Sequence, residues 1–213
     1  MIYLRQVAAI IWKDAVAELR TKDIFSAMFV FALLSVFIFQ FAFDLRVDNV
    51  KQVAPGVLWV AISFAGILGL NRSFVLEKDR GSFEGLLLAP VDRSAIYFGK
   101  MLGNVLFMLA VEVLVIPIFI VLFNLPLYLP EVVLVILLGT FGFAGVGTLF
   151  SAIAVNTRAR EVLLPILLFP IIIPVLIAAV KLTGGILDNI PLSDNMNWLQ
   201  LLVVFDVVFI AVA

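Results

Sequence analysis

Little in this chain can do covalent chemistry. Its 213 residues include no Cys and no His. Without them no Ser–His or Cys–His nucleophile pair can be built, and the commonest metal ligands are gone. No GxxxxGK[ST] phosphate loop occurs either: Gly99-Lys100 is followed by Met101 and lacks the upstream glycine. Any ATP that drives this protein must be bound by another chain. What remains is charge in conspicuous places. Glu112 and Asp206 each interrupt a long apolar run, and nine of the 29 charged residues crowd into the stretch 71–100, NRSFVLEKDRGSFEGLLLAPVDRSAIYFGK.

These groups sit in a chain that is 64% hydrophobic and 14% charged, with mean hydropathy +1.23. An ordinary soluble domain is about 25% charged, and a soluble fold this apolar could not cover its surplus surface. The composition requires lipid as solvent and predicts an all-α integral membrane protein, one domain over 1–213. Residues 3–22 lack the apolar centre and cleavage site of a secretory signal. Leu4, Val7, Ala8, Ile11, Ala15 and Leu19 recur at helical spacing, with Arg5, Lys13 and Arg20 on another face and Trp12 at the border. That pattern predicts an interfacial helix along the membrane; a soluble amphipathic helix on a partner would share it.

Six spans follow. Residues 24–43 are uncharged, and 20 residues at about 1.5 Å each cross a hydrocarbon core of about 30 Å. Their seven Phe read as lipid-facing or packing residues. A polar turn at 44–51 leads to span two at 52–71, with Pro55-Gly56 at its start and Trp59 near one interface. Span three is expected at about 96–123, a tight turn at 124–130, and span four within 132–155. In span four Thr140, Ala144, Thr148 and Ala152 repeat every four residues among Gly139, Gly142, Gly145 and Gly147. Such a face lets helices approach closely in lipid; a pore wall is the alternative. After a basic turn at 156–161, span five at about 162–180 carries Pro165, Pro170 and Pro174. Each removes a helix hydrogen bond, which predicts a kinked or broken helix. Residues 181–197 read as the longest outer loop. Trp198 opens span six, whose 16 residues to Ala213 fall short of a full crossing, so a continuation of the native chain stays open.

Lys and Arg orient the chain. Arg5, Lys13, Arg20 and Lys22, five residues between 71 and 100, and Arg158 and Arg160 put eleven of the 14 on one side; Arg46, Lys51 and Lys181 lie on the other. The positive-inside rule makes the amino terminus and the 71–100 stretch cytoplasmic.

Within that stretch Gly81 supplies a bend, and Ser82 can cap a short helix. Glu84 then sits in the first turn, where the helix dipole favours an anion. Leu86, Leu87 and Leu88 form an apolar edge and Pro90 stops the helix; Asp92 or Ser94 can cap the next one. The product is a short helix tied to two spans, with Glu77, Lys78, Asp79 and Arg80 as polar handles that a separate motor domain could grip. Spacing alone fits a solvated charged turn equally well.

A resemblance separates these readings. EKDRGSFEGLLLAPVDRSAIYFGK resembles the signature of type-two ABC exporter permeases, roughly E-x-x-x-G-[ST]-[LF]-E-x-L-[LM]-x-x-P ending in a GK or AK pair. Glu77, Gly81, Ser82, Phe83, Glu84, Leu86, Leu87, Pro90 and Lys100 fit, and Arg93 lies within the same docking segment. More narrowly, VAPGVLWVAISFAGILGLNR (53–72), LLGTFGFAGVGTLFSAIA (137–154) and LLPILLFPIIIPVLIAA (163–179) resemble the cytochrome c maturation protein B family of haem-exporter permeases. The resemblance implies an interfacial helix plus six spans in the type-two permease fold, within a bacterial inner membrane. It implies a cytoplasmic ABC ATPase subunit docked under the loop and holding ATP-Mg. A haem-handling membrane subunit, a very small membrane subunit and a haem chaperone are the other implied partners, with membrane lipid around them and no nucleic acid. The complex would serve c-type cytochrome biogenesis, by haem export or by release of a haem-loaded chaperone. The rival readings are a type-two exporter of a lipid, drug or glycan, and a passive membrane scaffold.

Each intramembrane acid costs about 2.5–3.5 kcal/mol at mid-bilayer. For Glu112, one turn before Pro117, the expected partner is the backbone loosened by that proline. It matches no family motif, and its role is expected to be structural; a polar path or a contact with a partner subunit is the functional alternative for both Glu112 and Asp206. Asp206, about 12 Å along its helix from Trp198, would be settled by a partner's Arg or Lys or by protonation. Haem iron takes His, Cys, Met or Tyr as axial ligand, and only five Met and three Tyr are present. Scattered Met are more often packing than ligands, so the expectation is no directly bound cofactor, with haem handled by a partner. The purified chain alone should show no haem absorption; a haem spectrum with a mapped axial ligand in this chain would refute that.

Overall fold

A computed structural model describes residues 2–44, 50–79, 85, 88–155, 157 and 159–212. The described residues form seven α-helices. They are α1 (Ile2–Thr21), α2 (Asp23–Asp44), α3 (Val50–Asp79), α4 (Arg93–Phe123), α5 (Pro130–Ala154), α6 (Arg160–Leu187) and α7 (Met196–Val212), with a 3-10 turn at Leu192–Asn195. Six stretches are long and apolar enough to cross a membrane: 23–43, 50–75, 93–123, 130–154, 161–187 and 192–212. Seven helices, six of them in stretches of spanning length, match the number expected from sequence, with α1 as the amphipathic first helix.

Helix α3 packs against α2, α4, α5 and α6, while α5 packs against α3, α4, α6 and α7. These two helices are the centre of the bundle, and α2 and α7 lie on its flanks. On α2 the buried residues are Ile24, Met28, Ala32 and Val36, one stripe of four-residue spacing. None of its seven Phe is buried, in keeping with their lipid-facing or packing role. The valines of α7, among them Val204, Val207 and Val212, point outward as well. Lipid is as apolar as these side chains, so close packing rather than water exclusion holds the bundle together.

Helix boundaries differ from expectation in three places. Helix α3 continues to Asp79, eight residues past the expected end of span two, because no breaker intervenes before Gly81 and Lys78 finds a partner, the carbonyl of Val155 at 3.0 Å. Helix α6 runs through Pro165, Pro170 and Pro174 without interruption and on to Leu187. Of the two expected outcomes, kinked or broken, the broken one is absent, and the outer loop is shorter than 181–197. Helix α6 stops at a Schellman cap: Asn189 takes a left-handed φ of 59°, Ile190 N–H donates to Gly185 O at 2.9 Å, and Asn189 N–H donates to Ile186 O at 3.0 Å. The last span gains length from the 3-10 turn in front of it and covers 21 residues rather than 16. The tight turn after span three stands where expected, with Asn124 as the left-handed cap of α4.

Between α1 and α2 the chain turns at Lys22, whose φ is 58°. Lys22 N–H donates to Glu18 O at 2.6 Å, and the Glu18 carboxylate accepts the N–H of Phe25 at 2.7 Å. One acidic residue thus closes α1 and caps the first turn of α2.

Trp59, expected near one interface, turns into the bundle. It is 2% exposed, and its indole N–H donates to Thr183 Oγ1 of α6 at 3.1 Å. A buried indole needs such a partner, and Gly139 of α5 makes room for the ring: a Cβ there would run into its six-membered part. At Gly56 of α3, by contrast, a Cβ would meet nothing within 4 Å. Gly139→Ala should cost about 1–3 kcal/mol through overpacking, and Gly56→Ala should be neutral or stabilising by about 0.5–1 kcal/mol. Thermal unfolding of both variants in detergent checks the contrast.

Candidate functional site

The charged stretch 71–100 starts on α3 and ends on α4. Of the residues assigned to docking, Gly81, Ser82, Phe83, Glu84 and Leu87 lie outside the described residues, as does the expected Ser82 cap. Glu77 belongs to α3, with its side chain outside the description. Pro90 and Arg93 are exposed. Asp92 occupies the N-cap of α4 but caps through its carbonyl, which accepts from Ala95 and Ile96 at 3.0 and 3.2 Å; no side-chain cap forms at Asp92. The expectation of a side-chain cap by Asp92 is thereby corrected.

The feet of this stretch meet at Lys100. Its ammonium is 2.9 Å from Asp14 Oδ2 of α1 and donates to Ser73 O of α3 at 3.1 Å, and it lies 5.4 Å from the centre of the Phe74 ring. Lys100 is 2% exposed. A buried ammonium is tolerated only when paired and hydrogen-bonded, and this one draws its partners from two other helices. Next to it, Gly99 lets α1 come close, since a Cβ there would lie 2.8 Å from Ile10. Gln6 Nε2 donates to Pro90 O at 3.3 Å, so α1 also touches the approach to α4. Lys13, beside Lys100 but half-exposed, has its pKa lowered by burial and by the Lys100 charge, with Asp14 at 3.3 Å opposing.

Sequence reasoning missed Asp14. Val7, Ile10, Asp14 and Glu18 form one stripe, with Val7, Ile10 and Glu18 buried, while Leu4, Trp12 and Leu19 face outward. The signal was present: two acids continue the spacing of two apolar residues, on the face of α1 that meets the bundle.

Further bonds brace the same end of the bundle. Tyr97 donates to Gly145 O at 2.9 Å, and Ser151 donates to Leu70 O at 2.7 Å. Asn104 Nδ2 donates to Thr148 Oγ1 at 2.9 Å, and Ala144 is fully buried. The face of Thr140, Ala144 and Thr148 is therefore a helix contact, chiefly with α4, rather than a pore wall.

Glu112 is 4% exposed, and its Oε1 accepts from Thr140 at 2.6 Å. Its partner is this hydroxyl, not the backbone near Pro117. Its Oε2 has no hydrogen-bond partner among the described residues. Glu112 lines a narrow, otherwise apolar crevice with Met28, Leu58, Ile62 and Met108. Asp206 is 6% exposed against Gly142, and neither of its oxygens is hydrogen-bonded among the described residues. The two acids thus meet opposite ends of the Thr140–Gly142 segment of α5 and do not form one site. Pro165, Pro170 and Pro174 lie along α6 and join neither acid's contacts. Glu112→Gln should leave function near wild type because an amide oxygen can still accept from Thr140. Thr140→Val should lower stability by about 1–3 kcal/mol by stranding the carboxyl. Haem staining and thermal unfolding read the two effects.

Comparison with known proteins fits this arrangement. The family model described as CcmB protein matches residues 5–213. The heme exporter protein B of Rhodobacter capsulatus is 31% identical over 193 residues, covering 87% of this chain and 87% of that protein. That of Pseudomonas aeruginosa is 30% identical over 171 residues, covering 80% and 77%. The Escherichia coli K12 protein of the same name is 28% identical over 74 residues, covering 35% of this chain. Because the family model takes in all six spans, the charged stretch and the Asp14–Lys100 junction together, this chain belongs to the CcmB protein family.

Proposed function

We propose that this protein is the membrane permease subunit of an ABC exporter that serves c-type cytochrome maturation. The observation that carries the reading is a family match from residue 5 to 213, spanning a stretch whose two feet are braced into the bundle. The permease has no phosphate loop, so ATP-Mg belongs to a cytoplasmic ATPase subunit that grips the 71–100 stretch from below. Glu77, Gly81, Ser82, Phe83, Glu84, Leu87, Pro90 and Arg93 form the gripped segment. The amino terminus and this segment face the cytoplasm of a bacterium, with the chain in its inner membrane.

Around it we place a haem-handling membrane subunit, a very small membrane subunit and a haem chaperone. We place the iron ligand on a partner, because this chain offers no His or Cys and its Met28, Met101 and Met108 are buried as packing residues. The permease converts ATP-driven movement below the membrane into haem export or into release of the haem-loaded chaperone.

The test is Glu84→Ala in the source cell, read by haem staining of covalent cytochrome c with the membrane level of the variant measured alongside. Loss of stain at normal protein level is the expected result, and it excludes a passive scaffold. Normal stain both in this variant and after full deletion would sink the haem assignment and leave a general exporter.

A further inference from the structure

We propose that the Asp14–Lys100–Ser73 cluster is a positioning element that makes α1 part of the force-transmitting block, a deepening that rests on the reading of 71–100 as the ATPase grip. Ser73 and Lys100 stand at the two ends of that stretch. Lys100 joins them, through its 3.1 Å bond to the Ser73 carbonyl, and at 2.9 Å it adds α1 through Asp14. A push on the stretch therefore cannot spread its feet apart without breaking a buried charge contact. Nor can it shift α4 without carrying α1 along.

Adhesion alone does not require a charge at this position. Apolar contact between α1 and α4 is already supplied by Ile10 against Gly99. A buried ion pair is often no better for stability than an apolar pair of similar volume. What the ion pair adds is direction. An ammonium is a point charge on a flexible stem, but this one is held by the Ser73 carbonyl, so a carboxylate on α1 reaches it only near the present register of α1 along α4. Ser73 fixes the third body, since a backbone carbonyl cannot change rotamer. The cluster acts on transport only through the gripped segment, so Asp14 and Lys100 are positioning residues that touch no substrate.

The test uses the full complex with its ATPase subunit. Asp14→Leu combined with Lys100→Met replaces the buried ion pair by an apolar pair and leaves half-exposed Lys13 to solvent. Asp14→Glu keeps the charge. Four quantities are read: membrane level, co-purification of the ATPase, ATP hydrolysis, and haem-stained cytochrome c. The apolar pair should keep level, ATPase binding and hydrolysis while cytochrome c falls about tenfold, a coupling loss of ordinary allosteric size. Asp14→Glu should retain the stain. Full stain in the apolar pair overturns the proposal, because register then does not matter. Loss of level or of ATPase binding in the apolar pair also overturns it, because the cluster is then only a structural tie. Glu84→Ala separates the parent reading: if the ATPase still co-purifies with that variant and stain is normal, the grip itself is misplaced.

Discussion

A hydrogen-bonding group in hydrocarbon must find its partner within the protein, and that constraint shapes this bundle. Among the described residues, several of the polar side chains that enter it tie one helix to another. Trp59 reaches from α3 to Thr183 on α6, Asn104 from α4 to Thr148 on α5, Thr140 from α5 to Glu112 on α4, and Ser151 from α5 to the α3 backbone. These ties run through the two central helices, where small residues have already brought the backbones together. Packing and polar pairing therefore support each other: Gly139 admits the indole, and the indole then reaches Thr183.

The same constraint gives the two ends of the molecule different sets of ties. At the end that holds Lys100, the ties connect α1, α3, α4 and α5, and several use backbone carbonyls as acceptors. At the other end the connections are short turns capped by Asn124 and Asn189. Asp206 contributes no tie among the described residues, although it lies against the central α5. The braced end is also the end to which the charged stretch is attached, as a coupling between motor and membrane would need.

Much of the architecture was legible in the sequence because span length and charge placement depend on the chain alone. Twenty uncharged residues between Asp23 and Asp44 can do little but cross, and α2 follows those limits closely. The small-residue face of α5 was legible for the same reason: its four-residue period survives whatever it packs against. Less legible were features settled by tertiary partners. Lys78 was expected to lie beyond the helix, yet the carbonyl of Val155 lets α3 carry it. The three prolines of α6 signalled a kink or a break, and only the tertiary setting shows that the helix runs on unbroken. Trp59 carried an interfacial signature, and only the position of Gly139 on another helix shows it to be buried. Of the candidate site, the motif residues were visible by resemblance. The Asp14–Lys100 contact joins residues 86 positions apart, and no local pattern specifies it.

The elbow at Lys22 has a mechanical meaning for the membrane itself. Glu18 bonds both the end of α1 and the start of α2, so the angle between these helices is set by the protein rather than by the lipid surface. A transmembrane helix answers a thinner bilayer by tilting. Helix α1 is not free to follow such a tilt, because Asp14 is held by Lys100 and Ile10 lies against Gly99 of α4. The elbow thus ties α2 to a helix already fastened to α4, so a tilt of α2 must be absorbed between Glu18 and Asp14 or resisted by the bundle.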